Sequence, residues 1–159
     1  MPHTQSLLRV ARRLSYSSAA AEDLVQETLL SGWRGFHRFE PGSNIRAWLF
    51  RILLNNFYAQ GRKLRAVPAM VPLTPDSQTF SPGLDEAMEV SRALQYLETE
   101  HRTVLLLCVV EGFTCREAAA ILDVPIGTVM SRLSRARQAM RTRLNARSAR
   151  LEYAGKETL

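Results

Sequence analysis

Cysteine and histidine are too few and too scattered in this chain to build a metal centre. Cys108 lies inside the apolar run VLLLCVV, Cys115 sits across a turn from it, and His3, His37 and His101 are far apart in sequence. That spacing suits neither a zinc site nor a disulfide framework, and both cysteines read as free thiols of a reducing compartment. Long apolar stretches are missing as well. No window approaches the roughly 20 residues of a membrane-spanning helix, and the N-terminal MPHTQSLLRVARRL has no apolar segment of signal length. The chain is therefore expected to be soluble and cytoplasmic, without membrane insertion. It also lacks paired carboxylates, a nucleophile-base set and a Gly-rich phosphate loop. No catalytic residue, metal or cofactor is expected, and the chain does not read as an enzyme.

Positive charge, by contrast, is plentiful and unevenly spread. Residues 1–66 carry ten Lys/Arg against four Asp/Glu, residues 67–100 one against six, and residues 101–159 ten against five. Two basic modules separated by an acidic connector suit two contacts with one polyanion, because Lys and Arg clusters displace counterions from nucleic acid. With 159 residues and 46% apolar content, the chain can bury a core as one medium domain or two small ones.

The most informative stretch runs from Phe113 to Arg143, FTCREAAAILDVPIGTVMSRLSRARQAMRTR. Ala118, Ala119, Ile121 and Leu122 have helical spacing, Asp-Val-Pro interrupts them, and a second periodic run begins near Gly127. At about 100° per residue, Val129, Leu133, Ala136, Met140 and Leu144 share one side of the second helix. Thr128, Ser131, Arg132 and Arg135 form a separate stripe about 120° away, in the first turns, made of donors that suit base edges and phosphates. The pattern is a helix-turn-helix whose recognition helix is Thr128 to about Leu144. A helical hairpin with a solvated basic face is the alternative.

Upstream, residues 4–15 form a short amphipathic helix with Leu7, Val10, Ala11 and Leu14 inward, and Ser17-Ser18 offers a break and a cap. A helix from Ala21 to about Phe36 puts Val25, Thr28, Leu29, Gly32 and Phe36 on its core side, with Leu24 and Trp33 flanking them. Asp23, Gln26, Glu27, Leu30 and Arg34 line up opposite, either a protein-binding face centred on Leu30 or a solvated face with one stray leucine. Residues 38–44, RFEPGSN, are a loop with Pro41-Gly42 as the turn and Ser43 or Asn44 as the next cap. The helix from Ile45 to about Arg65 is apolar around most of its circumference and must be largely buried. Its exception is a stripe of Arg51, Asn55, Tyr58, Arg62 and Arg65, whose guanidinium, amide and ring groups suit a DNA surface or a solvated helix end. Residues 67–84 hold four of the seven prolines and read as a linker. Asp85 to Glu98 and His101 to Gly112 are further helices, the second forming the apolar floor of the helix-turn-helix, and 149–159 read as a frayed tail.

Taken in order, DLVQE followed by Trp, a Trp-Leu-Phe-Arg-Ile helix, a Pro-rich linker and PxGTVxSRLxRAR resemble bacterial RNA polymerase sigma factors of the extracytoplasmic-function (group IV, sigma-70 family) type over nearly the whole chain. The resemblance implies an all-α fold of two small helical domains, a sigma-2 helical bundle at 1–66 and a sigma-4 helix-turn-helix at 85–148, joined by a flexible Pro-rich linker at 67–84 and followed by a tail at 149–159. By similarity, Asp23, Gln26, Glu27, Leu30 and Arg34 would grip the β′ clamp helices of core RNA polymerase. The Trp48-bearing helix and the 38–44 loop would read and open the −10 element, with Arg51, Asn55, Tyr58, Arg62 and Arg65 facing DNA and Asn55 matching the family's frequent helix Asn. Thr128, Ser131, Arg132 and Arg135 would read the −35 element in promoter DNA. The linker would pass through the RNA-exit region, and the β flap and an anti-sigma protein covering the same faces complete the implied partners. His37 and Phe39 are candidates for stacking on a flipped base or for a structural role.

Two features depart from the family pattern. The first helix begins almost at Met1, which shortens the usual N-terminal extension, and LLNNFY replaces a helix ending that is usually charged. Two rival functions remain in view: a stand-alone helix-turn-helix regulator that does not load polymerase, and a sigma-mimic that sequesters an anti-sigma protein. The second would have no need of the Thr128, Ser131, Arg132, Arg135 stripe.

Overall fold

Seven helices are built from the local signals above, in a computed structural model that describes residues 2–15, 17–66 and 85–157, apart from the side chains of 65, 66, 85–87, 151 and 153–157. The expected linker at 67–84 and the Arg65 side chain lie outside the described residues. Every regular element among the described residues is helical.

Helix α1 (Thr4–Leu14) buries Leu7, Val10, Ala11 and Leu14, as its periodicity predicts. Helix α2 (Ser18–Gly35) starts three residues before the expected Ala21, because the Ser17 hydroxyl accepts from the Ala20 amide at 3.1 Å and caps the turn there. Thr28 is fully buried, and its hydroxyl donates to the Leu24 carbonyl at 2.7 Å, so no polar group is orphaned. Gly32 is where α2 meets α3 (Ile45–Ala66): a Cβ there would lie 3.3 Å from Leu49 Cδ2.

Phe36 differs from expectation, being 56% exposed. The α-helix stops at Gly35 and tightens into a 3₁₀ turn over Phe36–Arg38. That turn swings the Phe36 ring off the core face and onto Phe39, with centroids 5.7 Å apart. Trp33, expected on the flank of the core, is 80% exposed.

The loop before α3 closes through Ser43, whose hydroxyl donates to the Glu40 carbonyl at 2.6 Å, and through Gly42 at φ +87. Asn44 is the cap, its Oδ1 accepting from the Arg46 and Ala47 amides at 3.1 and 3.2 Å. Leu49, Phe50, Leu53 and Leu54 then bury the inner side of α3.

In the second half, α4 (Asp85–Gln95) stops three residues short of the expected Glu98. The Arg102 guanidinium caps its end, donating to the carbonyls of Leu94, Gln95 and Leu97 at 2.7 to 2.9 Å. Helix α5 (Thr99–Leu105) begins two residues earlier than expected and passes into a π turn over Leu106–Val110. Helix α6 (Cys115–Leu122) carries a full capping box, Thr114 with Glu117, and ends on Asp123 in the left-handed conformation. Helix α7 (Ile126–Glu157) buries Val129, Leu133 and Ala136 against α6 and α5, while Met140 and Leu144 are half-buried. It continues through residues 149–157, where a frayed tail was expected.

The two halves share one core. Phe50 and Phe113 meet edge to face at 5.4 Å, and the same cluster holds Leu7, Leu53, Leu106 and Ala118. Each such aliphatic or aromatic side chain contributes about 1.5–3 kcal/mol when removed from water.

Candidate nucleic-acid interface

Helix α7 presents its first turns outward because Val129, Leu133 and Ala136 fix its opposite side in the core. Ser131 and Arg135 are exposed and Thr128 is half-buried. Arg132 is not free: its guanidinium reaches Glu100 of α5 at 3.1 Å. Three of the four stripe residues thus form one outward row with Arg132 tethered beside it.

On α3, Arg51, Asn55 and Arg62 are exposed in a row, but Tyr58 turns inward. Its hydroxyl lies 3.1 Å from Thr103 Oγ1, and since the Thr103 proton is already donated to the Thr99 carbonyl at 2.7 Å, Tyr58 is the donor. Burial raises the Tyr58 pKa above its ordinary value, with a smaller upward push from Glu100. Tyr58 is therefore a contact between the two halves in this conformation, not part of the open stripe. Sequence periodicity could not show this, because Thr103 is 45 residues away.

On α2, Asp23, Gln26, Glu27, Leu30 and Arg34 are all exposed, as the spacing predicts. Trp33, expected on the flank of the core side, adds an apolar surface beside Leu30. At the C-terminal end of α2, Phe36, Phe39 and Trp48 pack together, Phe39 and Trp48 with centroids 5.2 Å apart. His37 and Arg38 are exposed beside them.

Sequence reading missed one residue altogether. The Glu111 side chain is 1% exposed and accepts from Arg9 at 3.1 Å and Arg46 at 2.7 Å, both from the first half of the chain. Arg46 also donates to the Glu111 carbonyl at 2.6 Å, and its guanidinium lies 4.3 Å from the Phe113 ring centroid. The signal available was a lone acid closing the apolar run LLLCVV, directly before a glycine that adopts φ +74.

Residues 1–67 match the family model described as Sigma-70 region 2, and residues 87–140 match Sigma-70, region 4. The chain is 40% identical over 136 residues, 83% of its own length and 75% of the relative's, to the ECF RNA polymerase sigma factor EcfG of Rhodopseudomonas palustris. The chain belongs to the extracytoplasmic-function sigma factors. Among solved structures, this sigma factor is similar to RpoE from Bartonella quintana, solved in complex with the anti-sigma factor NepR, at 36% identity and TM-score 0.74 over 91% of this chain and 92% of that one. It is also similar to CnrH, solved with the cytosolic domain of CnrY, at 30% identity and TM-score 0.70 over 91% and 84%. The all-α architecture in two modules, one matching region 2 and one matching region 4, is therefore that of the family. No described helix is long and apolar enough to cross a membrane, and no cluster of metal-ligating side chains occurs among the described residues.

Proposed function

We propose that this sigma factor binds core RNA polymerase in the cytoplasm and directs it to promoters, as a specificity subunit with no catalytic site of its own. Its sigma-2 module is taken as 1–66 and its sigma-4 module as 85–148. The observation that carries this function is the pair of outward polar rows bearing arginine, Arg51 and Arg62 on α3 within the region 2 match and Arg135 on α7 within the region 4 match. On α7, Thr128, Ser131, Arg132 and Arg135 would read the −35 element, where one good bidentate arginine contributes about 1–3 kcal/mol of discrimination. On α3, Arg51, Asn55, Arg62 and Arg65 would follow the −10 strand, joined by Tyr58 once it is released. The Phe36, Phe39 and Trp48 rings offer a stacking surface, and capture of unstacked bases would offset an opening cost of a few kcal/mol. Asp23, Gln26, Glu27, Leu30 and Arg34, with Trp33 beside them, would form the face for the β′ clamp helices, a charged rim around an apolar centre, while sigma-4 would rest on the β flap.

Neither row works to full effect in the docked form. Tyr58 must part from Thr103, and Arg132 from Glu100, before either meets DNA. Polymerase would hold the modules apart at the promoter spacing, and linkage then raises the effective concentration of the second contact. RpoE, solved with the anti-sigma factor NepR, matches the chain over most of its length, which supports an anti-sigma protein as a further partner.

Run-off transcription with core polymerase on a randomised promoter library tests this function. Two enriched elements at a fixed spacing are expected, and transcription no higher than that of core polymerase alone would overturn it. Binding to duplex promoters that gains nothing from polymerase would instead identify a stand-alone regulator.

A further inference from the structure

Only the first three turns of α7 carry the proposed reading row, yet the helix spans 32 residues. The stretch beyond Arg135 holds Arg137, Arg141, Arg143, Arg147 and Arg150, with no acid before Glu152. At about 100° per residue, Arg143 and Arg150 fall within about 70° of the reading row, whereas Arg137 and Arg141 lie on the far side. The fold fixes two of these arginines. The Arg143 guanidinium lies 3.6 Å from the ring centroid of Tyr96, at the exit of α4, and Arg147 pairs with Glu89 at 2.8 Å. With Arg92 and Arg150 they wall a groove of about 350 Å³ between α4 and α7, in which Glu89 is the only carboxylate among the lining residues. Arg143 also borders the shallower depression formed with Arg135, Gln138 and Thr142, so the positive surface is continuous from the reading row to the groove.

We propose that the α4–α7 groove binds the phosphate backbone of duplex DNA flanking the −35 element, through Arg92, Arg143 and Arg150. This rests on α7 being the DNA-reading helix. A guanidinium stacked on an aromatic face keeps its N–H edge directed outward and loses little rotamer freedom when it meets phosphate. Arg143 and Arg150 are two helical turns apart, about 10.5 Å, which spans about three base steps of one strand. Arg147, neutralised by Glu89, braces the groove without adding to the contact. The ligand chemistry is that of phosphodiesters without base identity, so the groove contributes affinity and footprint length, not sequence choice.

The test uses the full chain loaded on core polymerase, with fluorescence anisotropy on two duplexes: one ending flush with the −35 element, and one extending about ten base pairs beyond it. The double variant R143A/R150A is compared with R135A and with wild type across a salt series. On the extended duplex, R143A/R150A is expected to reduce the salt slope by about two and to lower affinity about 60-fold at 0.1 M salt relative to its effect at 1 M, whatever the flanking sequence. On the flush duplex it should match wild type, and R143K should retain the slope. Unchanged binding of R143A/R150A to the extended duplex overturns the proposal and leaves the groove to an acidic protein partner. Equal losses on both duplexes overturn it too, since the arginines would then support the fold or the reading row. Should R135A fail to alter −35 preference, the fault lies with the reading assigned to α7 and not with the groove.

Discussion

Replacing Glu111 by alanine removes the one carboxylate that joins Arg9 and Arg46 of the first module to the second. Truncating one member of a fully buried pair costs about 3–5 kcal/mol, because the other charge is stranded. Here the arginines keep partial access to water, with side chains 47% and 28% exposed, so part of that penalty is relieved by hydration. The Arg46 bond to the Glu111 carbonyl also survives the substitution. A cost of about 2–3 kcal/mol is then expected, built from two charge-assisted hydrogen bonds of about 1.5–3 kcal/mol gross, discounted for exposure. It falls on docking and not on either module's own core, since Arg9 and Arg46 belong to one module and Glu111 to the other. The closed-to-open ratio should drop by about 30- to 150-fold. Small-angle scattering should show a larger radius of gyration for E111A, and a fluorophore pair on α2 and α7 should report a longer, broader distance distribution. E111Q, which keeps an acceptor for Arg46 but loses the charge, should fall between E111A and wild type. If E111A left both the radius of gyration and the inter-label distance at wild-type values, the ion cluster would not be what holds the halves together.

Other consequences can be checked independently. R132A should weaken binding to the −35 element by about 1–3 kcal/mol while polymerase co-purification is unchanged; an equal loss on scrambled upstream DNA would exclude a base-reading role. Enlarging Gly32 to valine should lower thermal stability by about 1–3 kcal/mol, because even a bare Cβ meets Leu49 at 3.3 Å and the added methyls must displace α3; an unchanged melting temperature would show that α2 and α3 have room to part. Burial, with help from the neighbouring Cys115 thiol, pushes the Cys108 thiol up to about 11 from an ordinary 9.0. In the folded chain its alkylation at pH 8 should run about 100-fold slower than that of an unfolded control and climb until about pH 11. A rate that levels off near pH 9 would mean that the surroundings of the thiol do not hold its proton on.

Much of this fold was legible from spacing alone. The buried row Val129, Leu133, Ala136, the inward face of α1 and the Asn44 cap are each set by residues within a turn or two of one another, where helical periodicity and side-chain capping dominate. The exposed row on α2 came from the same arithmetic, as did exposed Ser131 and Arg135 on α7. What escaped was set by distant neighbours. Phe36 carries the right period for the core, but the helix tightens after Gly35 and the ring finds Phe39 and Trp48 instead. Tyr58 has the period of a surface stripe, yet its hydroxyl is claimed by Thr103 of the other module. Glu111 gave only a weak cue, an acid at the end of an apolar run, because its meaning depends on two arginines 65 and 102 positions away.

A π turn holds one residue more than the α-helical turn it replaces, so every side chain after it is advanced by about 100° around the axis. The amide of Glu111 bonds back to the carbonyl of Leu106, five positions earlier, at 3.0 Å. Glu111 and Phe113 owe the direction they face to that surplus residue. A chain one residue shorter here would keep its helix-turn-helix while aiming its carboxylate away from Arg9 and Arg46. The length of this single turn thus sets whether the second module can offer its carboxylate to the first.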